Sequence, residues 1–189
     1  MPTEQSQRPT VELLIGPIAS GKSTYSKRRA TEGAIIVNDD AIVMALHADQ
    51  YNLYNINLKP LYKAIENSIL QMAIMLGKDV IIDRPNYSKA MRSRYISIAR
   101  SLDAAIKFTV FPAATPEEHA RRRTHSDSRG YGIEYWVKVC KHHMSLYETP
   151  VLSEGADSIW EMRNGSDMQS ISYEPHLAEQ IQSTESPKR

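Results

Sequence analysis

Five short apolar runs recur along the chain, at residues 11–15, 34–37, 80–82, 106–111 and 158–162, each of strand length. None alternates cleanly between apolar and polar, as expected of strands buried on both faces. The stretches between them carry helical spacing. One predicted helix, 23–30, follows the first run, and a second, 41–46, has Asp40 as its cap. A long helix at 61–76 places Leu61, Ile65, Ile69, Met72 and Leu76 on one stripe and stops at Gly77. Another spans 87–101. Thr115-Pro116-Glu117-Glu118 opens a helix with a cap, a proline in the first turn and acids at the positive end of the dipole. The last, 133–147, lines up Ile133, Trp136, Val137, Cys140, Met144 and Tyr147 as a core stripe, with Pro150 beyond its end.

Strands alternating with helices imply right-handed crossovers and a parallel sheet covered on both faces. The expected organisation is a flexible arm over 1–10, an α/β domain over 11–163 and a polar, Ser/Gln-rich tail over 164–189 with one short helix near 177–181. No internal repeat is visible.

Composition narrows the class. The 189 residues are 41% hydrophobic and 24% charged, the balance of an ordinary globular chain. A lone cysteine, Cys140, excludes an internal disulfide framework and fits a reducing compartment. The N-terminus lacks the apolar stretch of a signal peptide, and no apolar run approaches the ~20 residues that span a bilayer. The expectation is a cytoplasmic protein with no membrane partner. Net charge is only +1, but residues 84–129 hold ten Lys/Arg against four acids. That excess fits a polyanionic ligand, and equally a solvated basic surface.

The chemistry begins at Gly16-Pro17-Ile18-Ala19-Ser20-Gly21-Lys22-Ser23, which matches G-x-x-x-x-G-K-[ST] between a strand and a helix. Glycines let the backbone curl so that successive N–H groups point at a phosphate, and the helix N-terminus adds positive potential. Gly16, Ala19, Ser20, Gly21, Lys22, Ser23 and Thr24 are therefore the expected ligands of ATP or another nucleoside triphosphate. Lys22 reaches the β- and γ-phosphates, and the Ser23 hydroxyl joins a Mg²⁺ shell.

Carboxylates follow where strands end, which in an open parallel sheet is the ligand crevice. The second strand ends in Asn38-Asp39-Asp40, placing Asp39 to accept a proton from an attacking hydroxyl, with a cap or turn role as the alternative. The third ends in Asp83-Arg84-Pro85-Asn86. Asp83 is expected in the Mg²⁺ shell or at the acceptor, with Arg84 and Asn86 beside it as acceptor-binding residues. Further on, HARRRTHSDSRGYG joins two helices into a lid at about 116–148. A transferring phosphoryl group spreads negative charge, so Arg122 and Arg129 are the expected catalytic arginines, with Arg123 a further candidate and Arg121 facing solvent. Gly130 and Gly132 would permit hinge motion.

GPIASGKST, VNDD, VIIDRPN and RRRTHSDSRG resemble, in order and spacing, the kinase module of bacteriophage-type polynucleotide 5′-hydroxyl kinases, small kinases related to adenylate kinase. The resemblance spans about 11–162. It implies a three-layer P-loop NTPase fold with a central five-stranded parallel sheet and a helical lid. It also implies Asp39 as general base, Asp83 at the acceptor site, and Arg122 and Arg129 on the ATP phosphates. In that family a basic residue three positions after the base grips the acceptor's neighbouring phosphate; here the position is Ile42. Related phage kinases act on a hydroxymethyl group of a modified base in DNA, an acceptor needing a basic DNA-facing surface without that grip. Arg84, Lys89, Arg92 and Arg94 are the candidates for such a surface, and the host cytoplasm is the compartment if a phage encodes the chain. The other readings are a free nucleoside, nucleotide or small-molecule kinase, and a P-loop ATPase switch.

Overall fold

The computed structural model describes residues 8–127, 130–163 and 167–170, the side chains of Asp167 and Ser170 apart. Six strands form one sheet: β1 (Thr10–Ile15), β2 (Ile35–Val37), β3 (Val80–Ile82), β4 (Ala105–Val110), β5 (Ser158–Arg163) and β6 (Asp167–Ser170), in the order β2-β3-β1-β4-β5-β6. The first five are parallel, as expected. The sixth lies antiparallel to β5, with Glu161 opposite Gln169 and Met162 opposite Met168. The segment expected to be tail therefore supplies an edge strand; the short helix expected near 177–181 lies outside the described residues.

The lack of alternation in the strands has a direct cause. In β1, Val11, Leu13 and Ile15 pack on one side of the sheet with Leu70, Ile74, Tyr95 and Ile96. Leu14 packs on the other with Tyr25, Ile81 and Phe111. Between them Glu12 is buried, yet its carboxylate accepts from the hydroxyls of Tyr25 (2.7 Å) and Thr109 and pairs with Arg29 (2.7 Å) and Lys107 (3.1 Å). Such full pairing is what makes a buried charge tolerable.

The helices are α1 (Lys22–Thr31), α2 (Asp39–Leu46), α3 (Lys59–Met75), α4 (Lys89–Ser101), α5 (Pro116–Ser126) and α6 (Ile133–Ser145). Thr115 caps α5 by accepting from Glu118 N, as its sequence promised. Two expectations are corrected. The cap of α2 is Asn38, which accepts from Ala41 N at 2.9 Å, so Asp39 and Asp40 both sit in the first helical turn. And α3 is rotated from its apolar stripe: it buries Tyr62, Glu66, Leu70, Ala73 and Ile74, leaving Leu61, Met72 and Leu76 exposed. Glu66 lies on that buried face, its carboxylate bound by Arg84, Arg94 and the Tyr95 hydroxyl. The 133–147 stripe is partly right: Trp136 and Cys140 are buried, whereas Ile133 and Tyr147 are exposed. No described helix is long and apolar enough to cross a membrane.

Candidate active site

The turn after β1 is built by close approach. A Cβ on Gly16 would meet Phe111 Cβ at 3.0 Å and the Phe111 carbonyl oxygen at 3.2 Å, so only glycine fits. Gly21, at φ 101°, precedes α1 in a left-handed conformation, and no side chain caps the helix. Its positive end is open to the cleft, the arrangement that receives a phosphate. Lys22 folds back over the turn, donating to the carbonyl oxygens of Gly16 (2.9 Å) and Pro17 and to the Ser20 hydroxyl (3.3 Å). Burial pulls its pKa down to about 8, against the attraction of Asp83. Ser23 and Thr24 are exposed.

The ends of β2 and β3 are tied to this turn. Gly16 N donates to Pro85 O at 3.1 Å, and Asn38 Nδ2 donates to Asp83 O at 2.9 Å. Asp83 is nearly buried, accepting from the Ser26 hydroxyl at 2.8 Å. Arg84 spans two carboxylates, Asp39 at 2.7 Å and Glu66 at 3.0 Å. Burial raises the Asp39 pKa and the Arg84 guanidinium opposes it; the net shift is upward.

Lys22, Ser23, Asp39, Asp83 and Arg84 thus converge on one cleft of about 350 Å³. The rest of its lining is largely aromatic and apolar, from Tyr51, Tyr87, Met91, Tyr135, Trp136, Val139 and His143, with Asn38, Asp40 and Arg123 as its polar members. Tyr87 stacks on His143 at 4.9 Å, and burial pushes the His143 pKa down to about 4, keeping it neutral. Arg123 lies over the Trp136 ring at 4.9 Å.

Several expected residues do not line the cleft. Asn86 is fully buried at φ 46°, its amide donating to the carbonyls of Leu14, Ile82 and Arg84, so it ties the β1 and β3 loops together instead of meeting an acceptor. Arg122 is half exposed and bonded to Glu118 at 2.8 Å; its neighbour Arg123 is the arginine that reaches the cleft. Arg129 lies outside the described residues. The expected basic surface is also corrected: Arg92 is fully buried and doubly bonded to Glu154, and Arg84 and Arg94 are spent on Glu66. Only Lys89 of the four is exposed and outside an ion pair among the described residues. The aromatic wall was missed because Trp136 read as a core position and Tyr51 fell between predicted elements. The signal was the topology itself, which folds α6 back over the strand ends.

Sheet order, glycine-rich turn and carboxylates at the strand ends define an α/β P-loop NTPase-like fold. Residues 11–134 match the family described as AAA domain, and the chain belongs to that family. Among solved structures, a chain of the Pnkp1/Rnl/Hen1 RNA repair complex is 21% identical with a TM-score of 0.58, covering 75% of this chain and 47% of that one. The present chain therefore spans about half the length of that relative. A structure of the PezAT toxin–antitoxin system of Streptococcus pneumoniae is 13% identical with a TM-score of 0.58, over 86% and 70% of the two chains. Chaetomium thermophilum Kti12 in complex with ADP-AlF3 is 17% identical with a TM-score of 0.53, over 83% and 90%. At these identities the likeness is one of fold.

Proposed function

We propose that this chain is an ATP-dependent, polynucleotide-kinase-like phosphotransferase that moves a γ-phosphoryl group to a hydroxyl of nucleic acid. The observation that carries the reading is the Asp39–Arg84 pair, held in the same cleft as Lys22 and Ser23. A P-loop alone binds a triphosphate; a partly buried carboxylate facing it gives an acceptor hydroxyl somewhere to send its proton. The acceptor oxygen bonds to the γ-phosphorus, the bond to the β–γ bridging oxygen breaks, and Asp39 takes the hydroxyl proton. Lys22 and Arg123 offset the charge on the moving group. Arg84 orients Asp39 and keeps it ionised until the proton arrives.

Ser23 and Asp83 offer one hydroxyl and one carboxylate, an all-oxygen set suited to Mg²⁺ with phosphate and water completing the shell. Bound there, the ion would neutralise charge across the β- and γ-phosphates. The aromatic wall favours an acceptor that carries a base over a plain sugar or sugar acid, because ring faces stack on bases.

A second reading is a kinase of a hydroxymethylated base such as 5-hydroxymethyluracil in phage DNA. Ile42 favours it: the side chain is buried against Val43 and Tyr62 and offers no grip on a phosphate beside a 5′ end. The test of both is incubation with γ-labelled ATP and a panel of 5′-hydroxyl DNA, 5′-hydroxyl RNA, hydroxymethyl-base DNA and free nucleosides. Label on a polynucleotide end supports the first reading and label on the modified base the second. Label only on free nucleosides overturns both.

A further inference from the structure

Between α2 and α3 the chain forms two short 3₁₀ turns, Tyr51–Leu53 and Ile56–Leu58, which carry an aromatic row out of the cleft. Tyr51 lines the cleft and stacks on Tyr54 with ring centroids 6.1 Å apart and planes 11° apart. Tyr54 in turn lies against Tyr62 at 5.6 Å. Tyr62 anchors the row from inside: it is buried, its hydroxyl is bonded to His47 Nε2 at 2.8 Å, and it accepts from Asn55 N at 3.3 Å. Tyr54 is exposed, as are Leu53 and Ile56 around it.

A small groove of about 50 Å³ adjoins the cleft at Asp39, Arg84 and Tyr51, and is lined away from the cleft by Tyr54, Tyr62, Lys59 and Lys63. Those two lysines stand one turn apart on α3, both exposed and in no ion pair among the described residues. Of the carboxylates lining the groove, Asp39 and Glu66 are paired with Arg84 and Arg94, and Asp40 stands at the inner end, where the groove meets the cleft. Its outer end is therefore basic and aromatic. This is the pairing that holds unpaired bases by stacking and their backbone by charge.

We propose that the Tyr51–Tyr54 row with Lys59 and Lys63 is the track along which a single-stranded polynucleotide acceptor runs after its reacting hydroxyl enters at Asp39. The inference rests on the function proposed above and names the acceptor's form: several nucleotides long and unpaired, since a base inside a duplex cannot lie on a tyrosine ring.

The experiment compares phosphoryl transfer to a 5′-hydroxyl dinucleotide and to a single strand of about ten nucleotides, near the site size of single-strand binders. In the wild type, KM is expected to be about 10-fold lower for the longer acceptor. In Tyr54→Ser it rises about 5-fold more for the longer acceptor than for the dinucleotide, the loss of one stacked base. In Lys59→Ala/Lys63→Ala the slope of log(kcat/KM) against log salt becomes shallower by about 1.4, since each of the two single-strand phosphate contacts contributes about 0.7. Equal KM values for the two lengths, or variants that leave the ratio untouched, overturn the track while leaving the kinase reading intact. If no nucleic acid accepts label, the kinase reading fails, and fluorescence anisotropy of a labelled ten-nucleotide strand still tests the groove. Weaker binding by both variants supports it, and unchanged binding overturns it. Variants that alter only the sedimentation of the protein also overturn it, making the patch an interface between copies.

Discussion

Arg84 Nη2 lies 2.7 Å from Asp39 Oδ2, and the same guanidinium is fastened from behind by Glu66 at 3.0 Å. Glu66 is itself held by Arg94 and by the Tyr95 hydroxyl at 2.8 Å. The pair is thus mounted on a buried framework joining α3, the β3 loop and α4. A carboxylate held this way is already positioned before any ligand arrives.

The first consequence is a pH dependence. Burial raises the Asp39 pKa and Arg84 is the largest influence lowering it, so removing Arg84 shifts the balance further upward. Arg84→Ala is expected to move the acidic limb of the kcat/KM profile to higher pH, with kcat/KM falling at neutral pH. A limb that stays where it is in the wild type would detach Arg84 from Asp39.

Lys22 gives a second. Its pKa is about 8 in the free protein because of burial, and a bound triphosphate would raise it again. Below pH 8 the lysine is already charged and nucleotide affinity is complete. As pH rises through 8, binding must take up a proton, and affinity declines. Titration calorimetry in buffers of different ionisation enthalpy should show proton uptake above pH 8 and none near pH 6. The lysine's own effect on the free protein has the opposite sign. The unfolded chain binds the proton between about pH 8 and 10.5 and the folded one does not, so this group makes folding more favourable as pH rises across that window.

The lid arginines separate by position. Arg123 is in the cleft over Trp136, and Arg122 faces outward to Glu118. Arg123→Ala is expected to lower kcat by about 10²-fold, the scale of one lost charge-stabilising donor. Arg122→Ala should change kcat little and stability by no more than about 0.5 kcal/mol. Steady-state kinetics on the two variants decides the assignment.

Arg92 is a structural strut. It is fully buried, doubly bonded to Glu154 at 2.7 and 2.8 Å, and donates to the carbonyls of Asn86 and Glu148. Arg92→Ala strands Glu154 in a nearly buried site and is expected to cost about 3–5 kcal/mol in denaturant unfolding. A loss below about 1 kcal/mol, together with a change in DNA affinity, would return Arg92 to the surface role its sequence suggested.

The glycine-rich turn after β1 was legible because it depends on local rules. Gly16 and Gly21 are required by backbone geometry, and Lys22 and Ser23 follow at fixed offsets. The five parallel strands were legible for the same reason, their apolar runs being short and bounded. What escaped was long-range pairing. Nothing local says that Glu66 on α3 will meet Arg84 and Arg94, so the buried face was read from the apolar positions alone and the stripe was misplaced. Asn38 and Asp40 are both good caps, and Asn38, which takes the role, also donates through its amide to Asp83 O at the end of the neighbouring strand. The aromatic wall likewise depends on where α6 lands.

The most direct test of the central claim pairs transfer with binding in Asp39→Asn. With γ-labelled ATP and a 5′-hydroxyl oligonucleotide, the wild type should move label to the oligonucleotide. Asp39→Asn should do so about 10²–10⁴-fold more slowly, the usual contribution of a general base, while its ATP affinity stays within a few-fold of wild type. Label released as inorganic phosphate at the same rate with and without the oligonucleotide, or transfer untouched by the substitution, would contradict the account.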